Sequence, residues 1–388
     1  MSNGLTQFSA APGTIDLAWG HPDPDLLPVR ELRAAATRAF DRYGPDMLAY
    51  GNPAGPPPLR EFIRERLEHT DARSPALGEV LVTGGTSQGL DMVATLLIGP
   101  GDVVLVSEPT YYLALRILAD HGVHMHGVAS DAHGIVLEEL VRAVRRRRGR
   151  RPRRLFLYTI PTFNNPTGAS LSDDRRARLV ELAADEGIVI IEDDTYRELA
   201  YDGPAPASLW ASAVPGVVVR LGSFAKSVAP GLRVGYLTAD TPTVERIAAS
   251  GFLDSGGSPS QASSLVVAEY ASAGDYARVV ERFRAAYRER RDRLLGALEQ
   301  QLAGAATWVR PKGGYFAWVS LPKGVTAAAL DEPAARHGVG FMPARPFFLE
   351  ARRAPEAVRL AFSRYPPATL EQAAGRLASA IQEAARRP

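Results

Sequence analysis

The 388-residue sequence contains no cysteine, which excludes disulfides and thiolate metal sites. Lysine is almost as scarce. Lys226, Lys312 and Lys323 are the only three among 45 basic residues, so arginine carries the surface charge and each lysine invites a chemical reason. No apolar run reaches membrane-spanning length, and the stretch 93–106 is broken by Gly99-Pro100-Gly101-Asp102. The opening Met1-Ser2-Asn3-Gly4-Leu5-Thr6-Gln7 lacks the basic and apolar regions of a leader, and the expected residence is cytoplasmic. A net charge of +2 gives no strong field for nucleic acid. The arginine run at 145–154 has no interleaved aromatics and reads as a solvated helix end and loop. His121, His124, His126 and His133 lack a completing carboxylate, so no metal site is expected.

Against this background stands Leu221-Gly222-Ser223-Phe224-Ala225-Lys226-Ser227-Val228-Ala229-Pro230-Gly231-Leu232-Arg233. An apolar strand near 217–219 runs into a hydroxyl, a lysine and an arginine. An amine holds a carbonyl compound as a Schiff base, while Ser223 and Arg233 offer a phosphate a hydrogen bond and a fixed positive charge. The compound that needs all three is pyridoxal phosphate (PLP).

Three further segments fit the same ligand. Ile188-Val189-Ile190-Ile191-Glu192-Asp193-Asp194-Thr195-Tyr196 is a β-branched run ending in acids, as in a buried parallel strand whose C-terminal edge faces a ligand. Asp193 there suits a pyridine nitrogen that must stay protonated, and Tyr196 the ring oxygen. The competing reading of Asp193 is an acid that caps the next helix. Thr159-Ile160-Pro161-Thr162-Phe163-Asn164-Asn165-Pro166-Thr167-Gly168 follows a short apolar strand at 155–158 and is dense in turn formers, with Asn165 placed to hydrogen-bond the cofactor oxygen. Val80-Leu81-Val82-Thr83-Gly84-Gly85-Thr86-Ser87-Gln88-Gly89-Leu90-Asp91 reads as strand, glycine turn and helix, an arrangement that points backbone N–H groups at a phosphate. Strands alternate with helical stretches over about 77–238, which predicts a mostly parallel sheet. Val279, Val280, Phe283, Tyr287, Leu294, Leu295 and Leu298 at helical spacing predict a long helix over 276–302, followed by a strand at 315–321 and a closing helix at 370–385.

In this order the motifs resemble the fold-type I PLP-dependent enzymes, specifically the class I/II aminotransferases. The resemblance covers nearly the whole chain. It begins at Leu17-Ala18-Trp19-Gly20-His21-Pro22-Asp23-Pro24 and returns at Tyr50-Gly51-Asn52-Pro53-Ala54-Gly55 with Leu59-Arg60. It continues through Glu108-Pro109-Thr110-Tyr111 and ends with Pro311-Lys312-Gly313-Gly314-Tyr315-Phe316 and Val358-Arg359-Leu360-Ala361-Phe362-Ser363.

The resemblance implies an α/β fold: a mostly parallel, seven-stranded-type sheet with helices on both faces, plus a smaller α+β domain. The implied division is 1–45 as N-terminal arm and part of the small domain, 46–280 as the large PLP-binding domain and 281–388 as the small C-terminal domain. It implies that Lys226 holds PLP as a Schiff base and, once displaced, acts as general base. Asp193 would pair with the pyridine nitrogen, Asn165 and Tyr196 would hold the ring oxygen, and Tyr111 would stack on the ring. Gly85, Thr86, Ser87, Ser223 and Arg233 would surround the phosphate, with Tyr50 reaching in from the second subunit of a homodimer. Arg359 would grip the substrate α-carboxylate, with Gly20 and Asn165 beside it. The implied activity is ping-pong transamination between an L-α-amino acid and a 2-oxo acid.

Several positions depart from the family pattern. Ala225 stands where relatives have serine, and Thr195, in a place often taken by proline or alanine, reads as a minor change. Arg345 adds a charge to the loop at 338–347, and Trp19 and His21 add bulk and a titratable group beside Gly20. These point to a specialised amino acid, such as a secondary-metabolism intermediate, with acidic, aromatic, branched and guanidino side chains all left open by Trp19, His21, Arg345 and Phe347. The same cofactor shell also serves C–S β-elimination, decarboxylation, cyclisation and oxidation. A non-catalytic sensor domain of a transcription regulator fits less well, since only sixteen residues precede Leu17.

Overall fold

The run Ile188-Val189-Ile190-Ile191 has no polar face, and the fold places it inside a sheet covered on both sides. The computed structural model describes residues 6–148 and 154–386. Its large sheet comprises β1 (Val80–Thr83), β2 (Val103–Glu108), β3 (His124–Asp131), β4 (Gly134–Ile135), β5 (Leu155–Thr159), β6 (Ile188–Asp193), β7 (Val218–Ser223) and β8 (Gly235–Thr238). The spatial order is β1-β8-β7-β6-β5-β2-β3-β4. From β7 to β3 every pairing is parallel, whereas β8 runs antiparallel to both its neighbours. The expected seven-stranded sheet is therefore present, with the two-residue β4 added as a hairpin edge.

Alternate residues of each strand feed two cores, as the two-residue period of a strand requires. On one face Val104, Val106, Phe156, Tyr158, Ile191 and Leu221 pack against α3 (Thr86–Leu96) and α4 (Tyr112–Asp120). On the other, Val103, Leu105, Leu157, Ile188, Ile190 and Val218 meet α5 (Leu137–Arg148) and α6 (Asp173–Glu186). Arg145, Arg146 and Arg147 lie on the last turns of α5, and residues 149–153 of the arginine run lie outside the described residues, as does the start of the chain at 1–5.

A third and largest core joins the two lobes. The predicted long helix is α7 (Asp275–Leu302), with the apolar residues named above all buried. It packs with α8 (Ala327–His337) and α9 (Pro367–Ala385) around a four-stranded sheet, ordered β9 (Thr307–Trp308), β10 (Phe316–Ser320), β12 (Ala357–Ala361), β11 (Met342–Pro343). The closing helix starts three residues earlier than its apolar spacing suggests, because Pro367 sits in the first turn, where its missing N–H goes unmissed. Near the N-terminus, Ile15–Asp16 pairs in parallel with Val339–Gly340, and the Leu17 carbonyl accepts from Ala361 N–H at 2.8 Å. That register lays residues 17–20 along the end of β12. Among the described residues no helix is long and apolar enough to cross a membrane.

Beneath the C-terminal edge of the large sheet lies a buried ion network. Arg220 on β7 bonds Asp194, just after β6, at 2.8 Å and Asp71, at the end of α2 (Pro57–Asp71), at 2.8 Å. Arg197 closes on the other Asp71 oxygen at 2.5 Å, and Ser208 N–H donates to the same atom at 2.9 Å. Burial would raise the Asp71 carboxyl, but Arg220 and Arg197 outweigh it and hold it below the usual carboxylate range. Removing one member strands the others in a dry interior. Asp71→Ala is expected to destabilise the fold by about 3–5 kcal/mol, read from urea unfolding, while breaking the surface pair Arg142–Glu139 with Glu139→Ala changes little. Equal effects of the two substitutions would show that the network is not holding the strand ends.

Candidate active site

Parallel strands that enter the sheet on one side deliver their C-terminal residues to one edge. Asp193 closes β6, Ser223 closes β7, Tyr158 sits near the end of β5, and the Gly84-Gly85 turn follows β1 into α3. Gly85 adopts φ +88°, and a Cβ there would come within 2.9 Å of the Arg233 guanidinium; a Cβ on Gly235 would meet the Gly85 Cα at 2.7 Å. The Arg233 Nη2 donates to the Gly84 carbonyl at 2.8 Å. The result is a floor of backbone with a guanidinium and the hydroxyls of Thr86 and Ser223 around it, and Ser87 follows in the first turn of α3. This donor set fits a phosphate. Ser223 Oγ accepts from Ala225 N–H at 3.0 Å, so the alanine contributes its backbone to the turn.

Asp193 is buried. Tyr158 donates to one of its oxygens at 2.8 Å and Thr195 to the other at 2.6 Å, and the Thr195 hydroxyl also lies 3.4 Å from that of Thr86. Burial pushes the Asp193 carboxyl up, and the two hydroxyls pull it back toward the ionised form. Thr195 is thus a correction to the sequence reading: it is a donor to Asp193, not a minor change. Tyr158 was missed, because a tyrosine in an apolar strand reads as core; its only signal was its place near the strand end, before the Asn164-Asn165 turn.

Above this floor Lys226 Nζ donates to the Gly20 carbonyl at 3.3 Å and stands 5.2 Å from the Tyr315 ring and 5.8 Å from the Tyr196 ring. Burial, then Arg359 and Arg233, lower its pKa to about 8 against an opposing pull from Asp193. Gly20 must be small, since a Cβ would come within 2.5 Å of the Phe316 ring. Arg359, on β12, donates from Nη1 to Asn165 Oδ1 at 2.8 Å and from Nη2 to the Ala18 carbonyl. Its guanidinium lies over Phe316 at 4.2 Å and Phe347 at 5.0 Å. It is 3% exposed, and no carboxylate among the described residues pairs with it. Asn165 also hydrogen-bonds the Tyr196 phenol, and burial raises the pKa of both Tyr196 and Tyr111, the latter to about 12.

The structure therefore gathers Gly20, Gly85, Thr86, Ser87, Tyr111, Asn165, Asp193, Tyr196, Ser223, Lys226, Arg233 and Arg359 at one sheet edge. It does not bring Tyr50 there: Tyr50 is 89% exposed, beside Leu48 and Phe252. Phe347 is fully buried between Tyr112 and Trp318, a shelf under Arg359 and not a wall of an open pocket. Arg345 is exposed and makes no ion pair among the described residues.

A lysine with a pKa near 8 is half neutral there, and only the neutral amine is nucleophilic. With cofactor-free protein, amine-selective labelling followed by peptide mass analysis should show Lys226 gaining reactivity about tenfold per pH unit up to about pH 8 and then levelling. Added free Nα-acetyl-lysine serves as the reference and keeps gaining reactivity through about pH 10. A Lys226 profile that climbs in parallel with it would rule out the depressed basicity.

The sequence model of the family described as aminotransferase class I and II matches residues 12–377. Aromatic-amino-acid aminotransferase 1 of Thermococcus litoralis is 31% identical over 95% of this chain and 88% of its own length. The 2-aminoadipate transaminase of Thermus thermophilus is 34% identical over 89% of this chain and 84% of its own. The crystal structure of a multiple substrate aminotransferase from Thermococcus profundus superposes with a TM-score of 0.91 at 28% identity, covering 97% of this chain and 93% of that one. The chain belongs to the class I and II aminotransferase family, a PLP-dependent transaminase by its fold, its relatives and the donor set at its sheet edge.

Proposed function

We propose that this protein moves the amino group of a specialised L-α-amino acid to a 2-oxo acid in two half-reactions at the Lys226–Arg359 cleft, as a homodimer with shared active sites. The observation that carries the reading is Arg359. A guanidinium this deeply buried is unfavourable without a counter-charge. Its Nε has no hydrogen-bond partner among the described residues. A substrate α-carboxylate supplies both the charge and the acceptors, in a plane that the Phe316 and Phe347 rings already fix.

The donor set fits PLP, with Gly85, Thr86, Ser87, Ser223 and Arg233 for its phosphate, Asp193 for its ring nitrogen, Asn165 and Tyr196 for its ring oxygen and Lys226 for its aldehyde. When bound, PLP supplies the electron sink that lets a Cα–H bond break. The remaining work belongs to the chain. Arg359 orients the substrate by its carboxylate. Lys226 Nζ, held toward the Gly20 carbonyl, takes the Cα proton and keeps it until it is returned; its low basicity makes both transfers accessible near neutral pH. Tyr158 and Thr195 sustain the negative charge on Asp193 against its burial. Tyr196 and Phe316 wall the cleft from water.

Leu48, Tyr50 and Phe252, exposed at 76%, 89% and 65%, rim one surface depression with Gly257 and Gln261. Large apolar side chains grouped this way suit an interface, and a second copy would account for Tyr50. Trp19 and His21 beside Gly20 support a specialised donor.

Adding amino acids singly to the PLP-loaded protein should bleach its visible band, and a 2-oxo acid should restore it. Steady ammonia release without an acceptor would instead assign elimination. Arg359→Ala should lower kcat/KM about 100- to 1,000-fold, the loss expected for a charge-assisted carboxylate contact; a loss below fivefold would sink its role. Tyr158→Phe should weaken PLP retention about tenfold, measured by equilibrium dialysis, and unaltered retention would leave Tyr158 a packing residue. Light scattering should give twice the 41.7 kDa chain mass, and Phe252→Asp should shift it to the monomer with loss of PLP.

A further inference from the structure

Between the two lobes lies a cavity of about 420 Å³ that the Lys226–Arg359 cleft does not use. On one side Glu108, at the end of β2, stands with Ile135 and Leu171; on the other are Trp318, Phe348 and Arg353 from the lobe of the four-stranded sheet. None of Gly20, Tyr111, Asn165, Asp193, Lys226 and Arg359 lines it, so the cavity and the cleft are neighbours without a common wall residue. A space of this size, mostly apolar with a few convergent polar groups, has the usual form of a small-molecule site.

The charged groups are a carboxylate and a guanidinium. Glu108 is 2% exposed; its Oε1 accepts from Leu349 N–H at 2.6 Å, while Oε2 has no hydrogen-bond donor among the described residues. Gly127 makes room for that oxygen, since a Cβ there would come within 2.1 Å of it. Arg353 Nη1 stands 3.2 Å from Oε2, an ion pair without hydrogen-bond geometry, and Arg353 makes no other ion pair among the described residues. A buried carboxylate oxygen without a donor is unfavourable. Burial accordingly pushes the Glu108 carboxyl up, against the pull of Leu349 N–H and Arg353.

Because the pair is neutral as a whole, a lone ammonium or a lone carboxylate would bring net charge into a desolvated space. A zwitterion brings none. In an α-amino acid a single carbon separates the two charged groups, so the ammonium can donate to Glu108 Oε2 while the carboxylate accepts from Arg353, with the four charges alternating in sign. The side chain then meets Ile135, Leu171, Trp318 and Phe348. We propose that this cavity is a second amino-acid site, separate from the catalytic cleft, and that it takes an α-amino acid with an aromatic or other apolar side chain between Glu108 and Arg353.

The test is equilibrium dialysis of labelled L-phenylalanine against PLP-loaded protein reduced with borohydride, so that Lys226 stays bonded to the cofactor and the cleft cannot exchange amines. One equivalent per chain should bind with a Kd at or below about 1 mM, the strength of two charge-assisted contacts and one apolar side chain. Glu108→Gln and Arg353→Gln should each raise Kd about 10- to 100-fold. Arg359→Ala, outside the cavity, should leave Kd within about twofold. 2-Phenylethylamine and 3-phenylpropionate, each with one charge, should bind at least about tenfold more weakly. Should Glu108→Gln fail to fold, as judged by thermal unfolding, Arg353→Gln decides, because that side chain is 39% exposed and its loss spares the interior. Absence of binding, variants at Glu108 and Arg353 that bind as tightly as the intact protein, binding that Arg359→Ala abolishes, or equal binding of the amine would each overturn the proposal.

Discussion

Arg220 is the point from which the site is hung. It is 1% exposed, it lies on β7 three residues before Ser223, and its guanidinium spans the gap to Asp194, the residue after Asp193. The backbone adds a bond in the same place, from Asp194 N–H to the Leu221 carbonyl at 2.9 Å. The strand end that carries Asp193 and the strand that leads to Lys226 therefore cannot slide past one another. Through Asp71 the same guanidinium reaches α2, and Arg197 doubles that link. Hydrophobic residues of similar size would stabilise such a position as well or better, but they would not fix two strand ends in register.

The charges above the sheet follow the opposite rule. Below the edge, Arg220, Arg197, Asp194 and Asp71 satisfy one another; above it, Arg359 has no anionic partner among the described residues, and Lys226 stands between cations that weaken its hold on its proton. A folded chain tolerates unmatched buried charge where the remaining structure over-determines it, and here the matched network is that structure. The division separates charges that hold the fold from charges that the fold leaves unmatched among the described residues.

Much of this was legible in the sequence because the signals were local. A β-branched run ending in Glu192-Asp193-Asp194 specifies a buried strand and what it delivers, and the Gly84-Gly85 turn specifies a backbone approach that a side chain would block. What escaped was pairwise and long-range. Nothing within β5 says that the Tyr158 hydroxyl turns toward Asp193, 35 residues away, because an aromatic residue in a strand reads the same whether its tip is idle or engaged. Thr195 looked minor for a related reason: a hydroxyl's value depends on the acceptor beside it.

The scarcity of lysine gains its meaning at the same place. Lys226 and Arg359 share one desolvated cleft, and burial acts on both: it lowers the lysine to about 8 and the arginine to about 10. The environment treats them nearly alike, so the difference that remains is intrinsic to the two functional groups. At neutral pH the guanidinium keeps its charge and can only bind, while the amine exchanges its proton and can act as nucleophile and base. Exchanging the two residue types would leave a binder that loses its proton and a base that never does. A chain that uses arginine almost everywhere else, and lysine here, assigns the two tasks by side-chain chemistry and leaves the fold only to bring them together.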